Sequence, residues 1–154
     1  MFFRGLSSIN LDAKGRMAIP TRFRGIIQDQ CQGNLVITIE AIDGESLVLY
    51  PLNEFEEIQR KVESLPSFDE TSKRLKGLLI GHANDVEMDG NGRILIPPTL
   101  RTYVGLEKKV ALVGQGKKLQ IWDEETWNRK RDSWLSVTDS SAGEMPQVLQ
   151  DLSL

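Results

Sequence analysis

Asp12, Gly15 and Arg16 recur at the same spacing as Asp89, Gly92 and Arg93. An aspartate at the mouth of a tight turn accepts backbone N–H bonds and holds the turn's shape. A glycine at the last turn position takes a conformation that a Cβ penalises. The arginine that follows is aimed from the start of a strand on a rigid base, where its planar fork matches a phosphate or the O6/N7 edge of guanine. The same residues admit a purely structural use, an Asp–Arg ion pair that braces each turn. Lys14 inside the first turn, with Arg22 and Arg24 close behind, tilts the balance towards nucleic acid.

The unit sits in a longer repeat. DAKGRMAIPTRFR, Asp12 to Arg24, returns as DGNGRILIPPTLR, Asp89 to Arg101, displaced by 77 positions. Six of the thirteen positions are identical: Asp12/Asp89, Gly15/Gly92, Arg16/Arg93, Ile19/Ile96, Pro20/Pro97 and Arg24/Arg101. A duplicated surface suits a target that is itself repeated, and a duplicated fold is a pseudo-dimer within one chain.

Other chemistry finds less support. Asp85-Val-Glu87-Met-Asp89-Gly90 imitates the first half of a calcium loop, but Ile96 stands where the loop needs its bidentate acid. His82 is the single histidine and has no Cys-x-x-Cys partner, which argues against a transition-metal site. No phosphate-binding Gly-rich loop or G-x-S-x-G elbow occurs, and Glu56-Glu57 reads as a solvated helix flank. The expectation is a non-enzyme with no metal and no cofactor.

The bulk numbers are those of an ordinary soluble globular chain of 154 residues, 40% hydrophobic and 27% charged. Apolar runs are too short to span a bilayer and the N-terminus has no signal-peptide pattern, so a cytoplasmic protein with no membrane partner is expected. The lone Cys31 excludes an intrachain disulfide and reads as a small, partly buried side chain. The formal net charge of -3 hides a segregation. Residues 1–24 carry Arg4, Lys14, Arg16, Arg22 and Arg24 against Asp12 alone, whereas residues 40–57 carry six acids and no Lys or Arg. An acidic chain can thus own a basic face.

The elements that position the repeated turn are legible from pattern. In each copy a strand enters the turn and a second leaves it as a hairpin: Arg16 to Pro20, and Arg93 to Pro97. Pro20 and Pro97-Pro98 end those strands and open short helices burying Phe23, Ile26 and Ile27, matched by Leu100, Tyr103 and Val104. Hairpins follow, Leu35–Glu40 with Ser46–Tyr50 and Val110–Val113 with Lys118–Trp122; Tyr50 and Trp122 fall at equivalent core positions. Asn53 with Glu56 predicts a capped helix burying Phe55, Ile58, Val62 and Leu65. Asp123 is expected to cap its counterpart, with Trp127, Trp134 and Leu135 on the apolar side. After Pro66, Ser67 with Glu70 predicts another helix carrying Phe68, Leu75, Leu78 and Leu79, so that two central helices form a hairpin between the copies. Residues 136–147 are expected to be mobile, and VLQDLSL either docks as a last helical turn or hangs free. Strand pairs this short cannot close a core alone, so the two copies must combine their strands in a pseudo-twofold barrel.

LDAKGRMAIP and MDGNGRILIPP, with the LLIGHA run and the LQDLSL terminus, resemble the MraZ family of bacterial regulators over nearly the whole chain. The resemblance implies an α+β fold: a pseudo-twofold AbrB-like β barrel from two tandem ββαββα repeats linked by a helical hairpin. Its segments would be repeat one at 5–52, linking helices at 53–80, repeat two at 81–124 and a C-terminal helix and tail at 125–154. It also implies a DNA-binding transcriptional regulator, a repressor of its own operon in the division and cell-wall gene cluster. Such a protein is nucleoid-associated, assembles into homo-oligomeric rings and binds repeated operator boxes in double-stranded DNA. The family's DNA-contacting arginine falls on Arg16 and Arg93, with Lys14, Arg22 and Arg4 expected on phosphates and Asp12, Gly15, Asp89 and Gly92 shaping the turns. Asn91 stands where the first copy has Lys14, which predicts unequal contributions. The rival expectation is an AbrB-like antitoxin or protein-interaction module, using the acidic 40–57 stretch and the tail to hold a basic partner.

Overall fold

One series of elements occurs twice along the chain. β1 (Phe3–Asn10), β2 (Arg16–Ala18), α1 (Thr21–Cys31), β3 (Asn34–Ile39), β4 (Leu47–Pro51) and α2 (Leu52–Glu63) form the first ββαββα run. α3 (Glu70–Leu75) follows and continues as a π-helical stretch over Lys76–Ile80. The second run is β5 (Asn84–Glu87), β6 (Arg93–Leu95), α4 (Pro98–Tyr103), β7 (Lys109–Gly116), β8 (Leu119–Asp123) and α5 (Glu124–Leu135), with a short α6 at Gln147–Gln150. This computed structural model describes residues 2–137 and 146–154, in two units, Met1–Glu124 and Glu125–Leu154.

In the first unit the copies exchange strands. The six-stranded antiparallel sheet runs β1-β7-β8-β4-β3-β5, and β2 pairs with β6 in a separate two-stranded ribbon. β1 of the first copy lies on β7 of the second, with Ile9 opposite Val110. β5 of the second copy lies on β3 of the first, with Leu35 opposite Val86. β4 meets its own counterpart β8, Val48 opposite Gln120. Replacing each strand by its counterpart therefore returns the same order read from the other end. The hairpin expected around each Asp-x-x-Gly-Arg turn is corrected here: β2 stops at Ala18, β6 at Leu95, and each pairs with the other rather than with the strand before its turn. Three residues offer too few ladder bonds to hold a hairpin alone, and the long strand β1 finds eight partners on β7 instead.

The alternation of side chains explains the layering. Met17, Ile19, Ile94 and Ile96 point inward from the ribbon and join Phe3, Phe23, Ile27, Leu35, Ile37, Leu47, Leu49, Leu112 and Ile121 in one core. The opposite side of β3 and β4 presents Val36, Val48 and Tyr50 to Phe55 and Val62 of α2 and to Leu79. Apolar residues on both faces make these strands continuous hydrophobic runs. Tyr50 and Trp122 are both buried, and burial with nearby Glu40 pushes the Tyr50 phenol up to about 12. Cys31 is buried in the core beneath the ribbon, with Phe23 and Ile27, where desolvation raises its thiol pKa.

Several local expectations need correction. α2 starts at Leu52 behind Pro51 with no side-chain cap, so Asn53 and Glu56 form no capping box; Pro51 already supplies the helical entry. α2 ends at Glu63, which leaves Leu65 exposed. Asp69, not Ser67, caps α3, its carboxylate accepting from the Ser72 N–H at 2.8 Å. Phe68 therefore precedes the helix and is 85% exposed. Tyr103, at the last position of the six-residue α4, is 56% exposed and meets the His82 ring edge-on at 5.4 Å.

In the second unit Trp127 and Trp134 pack edge to face at 5.8 Å. No side chain of α5 is fully buried, Leu135 included. α6 leaves Val148 and Leu149 exposed. The stretch expected to be mobile, 136–147, lies mostly outside the described residues. No helix among the described residues is long and apolar enough to cross a membrane.

Candidate nucleic-acid interface

Both repeated turns are built by their aspartate. Asp12 Oδ1 accepts from the N–H groups of Lys14 and Arg16, each at 2.9 Å, while Gly15 N–H donates to the Asp12 carbonyl at 3.0 Å. Asp89 Oδ1 accepts from Asn91 and Arg93 N–H at 2.9 Å, and Gly92 N–H donates to the Asp89 carbonyl at 2.9 Å. The glycines stand at φ +82 and +74, in the left-handed region where a Cβ is penalised. These bonds hold both carboxyls below the usual carboxylate range. The backbone N–H of Arg16 is the leading cause for Asp12, and that of Arg93 for Asp89.

The second carboxylate oxygen takes the arginine. Arg16 Nε donates to Asp12 Oδ2 at 2.7 Å; Arg93 Nε lies 3.5 Å from Asp89 Oδ2, too long for a hydrogen bond. The bracing ion pair is thus present, tighter in the first copy. It uses only the Nε edge of the guanidinium. Among the described residues no hydrogen bond engages the Nη nitrogens of Arg16.

The ribbon brings the two turns together. Arg16 stands opposite Leu95 and Ala18 opposite Arg93, with the inward Met17 and Ile94 between them. Side chains alternate along a strand, so Arg16, Ala18, Arg93 and Leu95 share the outer face. The two arginines are diagonal neighbours, roughly 7–8 Å apart at the backbone. Between them lie exposed Ala18 and Leu95, the latter 52% exposed. Ile19 N–H donates to the Gly92 carbonyl at 2.7 Å and Ile96 N–H to the Gly15 carbonyl at 3.1 Å, tying each strand end to the other copy's turn.

The remaining expected cations are more scattered. Lys14 is exposed in the first turn. Arg22 sits in the first turn of α1, donates from Nη2 to Ser7 Oγ at 2.6 Å and lies over the Phe23 ring at 4.4 Å. It is held against β1 rather than in the turn. Arg4 is exposed on β1, opposite Gln115.

Arg24 counts in the sequence only as one of the basic cluster behind the first turn, and Arg101 carries no role there, although the two form one of the identical pairs of the repeat. Arg101 lies over Gly15, where an added Cβ would meet its guanidinium at 2.6–2.9 Å. Arg24 lies over Gly92 and donates from Nε to the Ile19 carbonyl at 2.7 Å. Each turn glycine is roofed by an arginine of the other copy. Their identity across the repeat was the available signal; the crossing was not visible because sequence shows which turn an arginine follows, not which it covers.

Comparison with known proteins adds to this geometry. The family described as "MraZ protein, putative antitoxin-like" matches residues 2–77 and 79–142. A protein of Halorhodospira halophila named "Transcriptional regulator MraZ" is 50% identical over 152 residues, covering 99% of both chains. Proteins of the same name from Thioalkalivibrio sulfidiphilus and Pseudomonas aeruginosa are 50% and 49% identical over 152 residues, again covering 99% of both chains.

Proposed function

This chain belongs to the MraZ family, and from that premise we propose that it is a sequence-specific DNA-binding regulator of transcription. It represses its own operon in a division and cell-wall gene cluster by binding short repeated promoter boxes in double-stranded DNA. The observation that carries this reading is the outer face of the β2–β6 ribbon, which offers two turn-braced arginines side by side. A guanidinium whose Nε edge is fixed by a carboxylate has lost most of its rotamer freedom before binding. Its Nη pair then reaches guanine O6 and N7 at a lower entropic cost.

Arg16 makes the principal contact and Arg93 the lesser one. Arg16 is bonded to its aspartate at 2.7 Å and has Lys14 in its turn; Arg93 stands at 3.5 Å, beside Asn91 and downstream of Asp85 and Glu87. Lys14, Arg22 and Arg4 neutralise phosphates. So few cations per chain bind weakly, so several subunits must engage several boxes at once. A homo-oligomeric ring then supplies effective concentration rather than new contacts.

In the same reading the copies form a pseudo-twofold AbrB-like barrel, with repeats at 5–52 and 81–124, linking helices at 53–80 and a C-terminal helix and tail at 125–154. The palindromic strand order supports that symmetry, and the division after Glu124 supports the last boundary. The protein is cytoplasmic and nucleoid-associated, and no step of this activity needs an enzyme's chemistry.

The test is an electrophoretic shift with duplex DNA from upstream of the protein's own coding sequence, repeated across salt. Binding that weakens steeply with salt and is lost on unrelated duplex supports the proposal. Equal binding to both duplexes, or none, counts against it. A second reading, an antitoxin-like interaction module, draws on the family description and on exposed Ile42 beside Asp43 and Glu45. It predicts no preference for the upstream duplex and tight association with a basic protein.

A further inference from the structure

We infer that Arg24 and Arg101 are crossed positioning residues: each rigidifies the DNA-contacting turn of the copy to which it does not belong. The would-be Cβ of Gly15 is nearly equidistant from Cζ, Nη1 and Nη2 of Arg101, at 2.6, 2.8 and 2.9 Å. The guanidinium therefore lies flat over the turn. Arg24 covers Gly92 with the Nε end of its side chain, Nε, Cζ and Cδ lying nearest the would-be Cβ, and is anchored by the Ile19 carbonyl at 2.7 Å. That anchor sits beside a second crossing, because the N–H of the same Ile19 donates to Gly92. Ile96 N–H repeats this bond to Gly15, while Arg101 Nε is buried with no hydrogen-bond partner among the described residues.

The physical consequence follows from where the turn is soft. Asp12 fixes the backbone at Lys14 and Arg16, but Gly15 between them has no side chain and the greatest freedom of any residue. A planar cation pressed on that glycine removes the freedom from outside. The orientation of Arg16 therefore depends on Arg101, which is remote in sequence, more than on nearby Arg24; the orientation of Arg93 depends on Arg24. The inference deepens the DNA reading, and its structural half can be measured without DNA.

In the full-length protein, hydrogen–deuterium exchange is compared for wild type, Arg24→Ala and Arg101→Ala, following the segments Asp12–Arg16 and Asp89–Arg93. Arg101→Ala is expected to speed exchange in the first segment and leave the second unchanged; Arg24→Ala does the reverse. Faster exchange in the variant's own copy alone, or equally in both, overturns the proposal whatever the DNA result. Binding to the upstream duplex is then measured for the same variants with Arg24→Lys and Arg101→Lys. Arg101→Ala should weaken binding on the order of tenfold, more than Arg24→Ala, because it loosens the turn carrying the main contact. The lysine variants should not rescue, since lysine keeps the charge but not the flat face. Rescue by lysine, with a salt slope reduced by about one in the alanine variant, would make these arginines phosphate contacts and overturn the positioning role. If one alanine variant fails to fold, its lysine variant carries the exchange test with the same expected segments. Wild type that fails to bind DNA while the crossed exchange pattern appears would refute the DNA reading and leave the crossed brace standing.

Discussion

Asp12 and Asp89 each serve a backbone turn with one oxygen and an arginine with the other. This division reconciles the two uses that the Asp-x-x-Gly-Arg spacing allowed: the ion pair occupies one edge of the guanidinium and leaves the other for a ligand. Both carboxyls have depressed pKa values in the folded state, led by the N–H bonds from Arg16 and Arg93. Their contribution to stability is complete above the ordinary carboxylate value of about 3.9 and fades as pH falls through the folded-state values. Asp12→Asn should therefore melt below wild type at neutral pH, with a gap that narrows as the solution is acidified through that range. Melting curves along an acid series check this; a constant gap would mean that the charge on Asp12 adds nothing. The turn that Asp12, Gly15 and Arg16 build was legible in the sequence because its bonds are local. The roofing by Arg101 was not, because it depends on a contact with the other copy.

β2 and β6 are the shortest strands among the described residues, and the proposed site rests on the ribbon they form. Its inward residues Met17 and Ile94 are almost completely buried. Met17→Ala or Ile94→Ala should cost about 2–5 kcal/mol, read as a lower denaturation midpoint at unchanged slope. Gly92→Ala should destabilise by at least about 1 kcal/mol, since φ is +74 and Arg24 occupies the space of the new Cβ. A Gly92→Ala midpoint equal to wild type would remove the roofing contact from the account. Burial follows the sequence wherever the apolar pattern is regular. Phe23 and Ile27 on α1, Phe55 and Val62 on α2 and the equivalent Tyr50 and Trp122 are buried as their spacing predicts. Pattern misled at the starts of α2 and α3, where Asn53 and Ser67 looked like caps but Pro51 and Asp69 open the helices, whereas Pro20 and Pro97 open α1 and α4 as expected. Pattern also paired β2 within its own copy. Local capping signals and turn residues carry no information about a better partner elsewhere in the chain.

Across the whole molecule the duplication is consistent with action on repeated DNA. β1 and β5 are the edges of the six-stranded sheet, and Phe2 and Leu6 are exposed at the β1 edge; such edges invite pairing with further copies. Light scattering at micromolar protein should give a mass above that of a dimer, and a monomer mass throughout would remove the ring from the account. With several subunits engaged, inserting about half a helical turn between two boxes should misalign them and weaken binding, since groove phase repeats every ~10 base pairs. Affinity indifferent to spacing would mean independent or flexibly linked subunits. In the proposed function Arg16 reads DNA while its ion pair holds it in place. The most direct measurement is a binding isotherm on the upstream duplex for wild type, Arg16→Ala and Arg93→Ala, each paired with a thermal melt. A good arginine–guanine pair is worth ~1–3 kcal/mol and recurs in every engaged subunit. Arg16→Ala should thus abolish specific binding with the fold retained, and Arg93→Ala should weaken it less. An Arg16→Ala protein that melts early yet binds like wild type would contradict the account and leave this arginine as a turn brace alone.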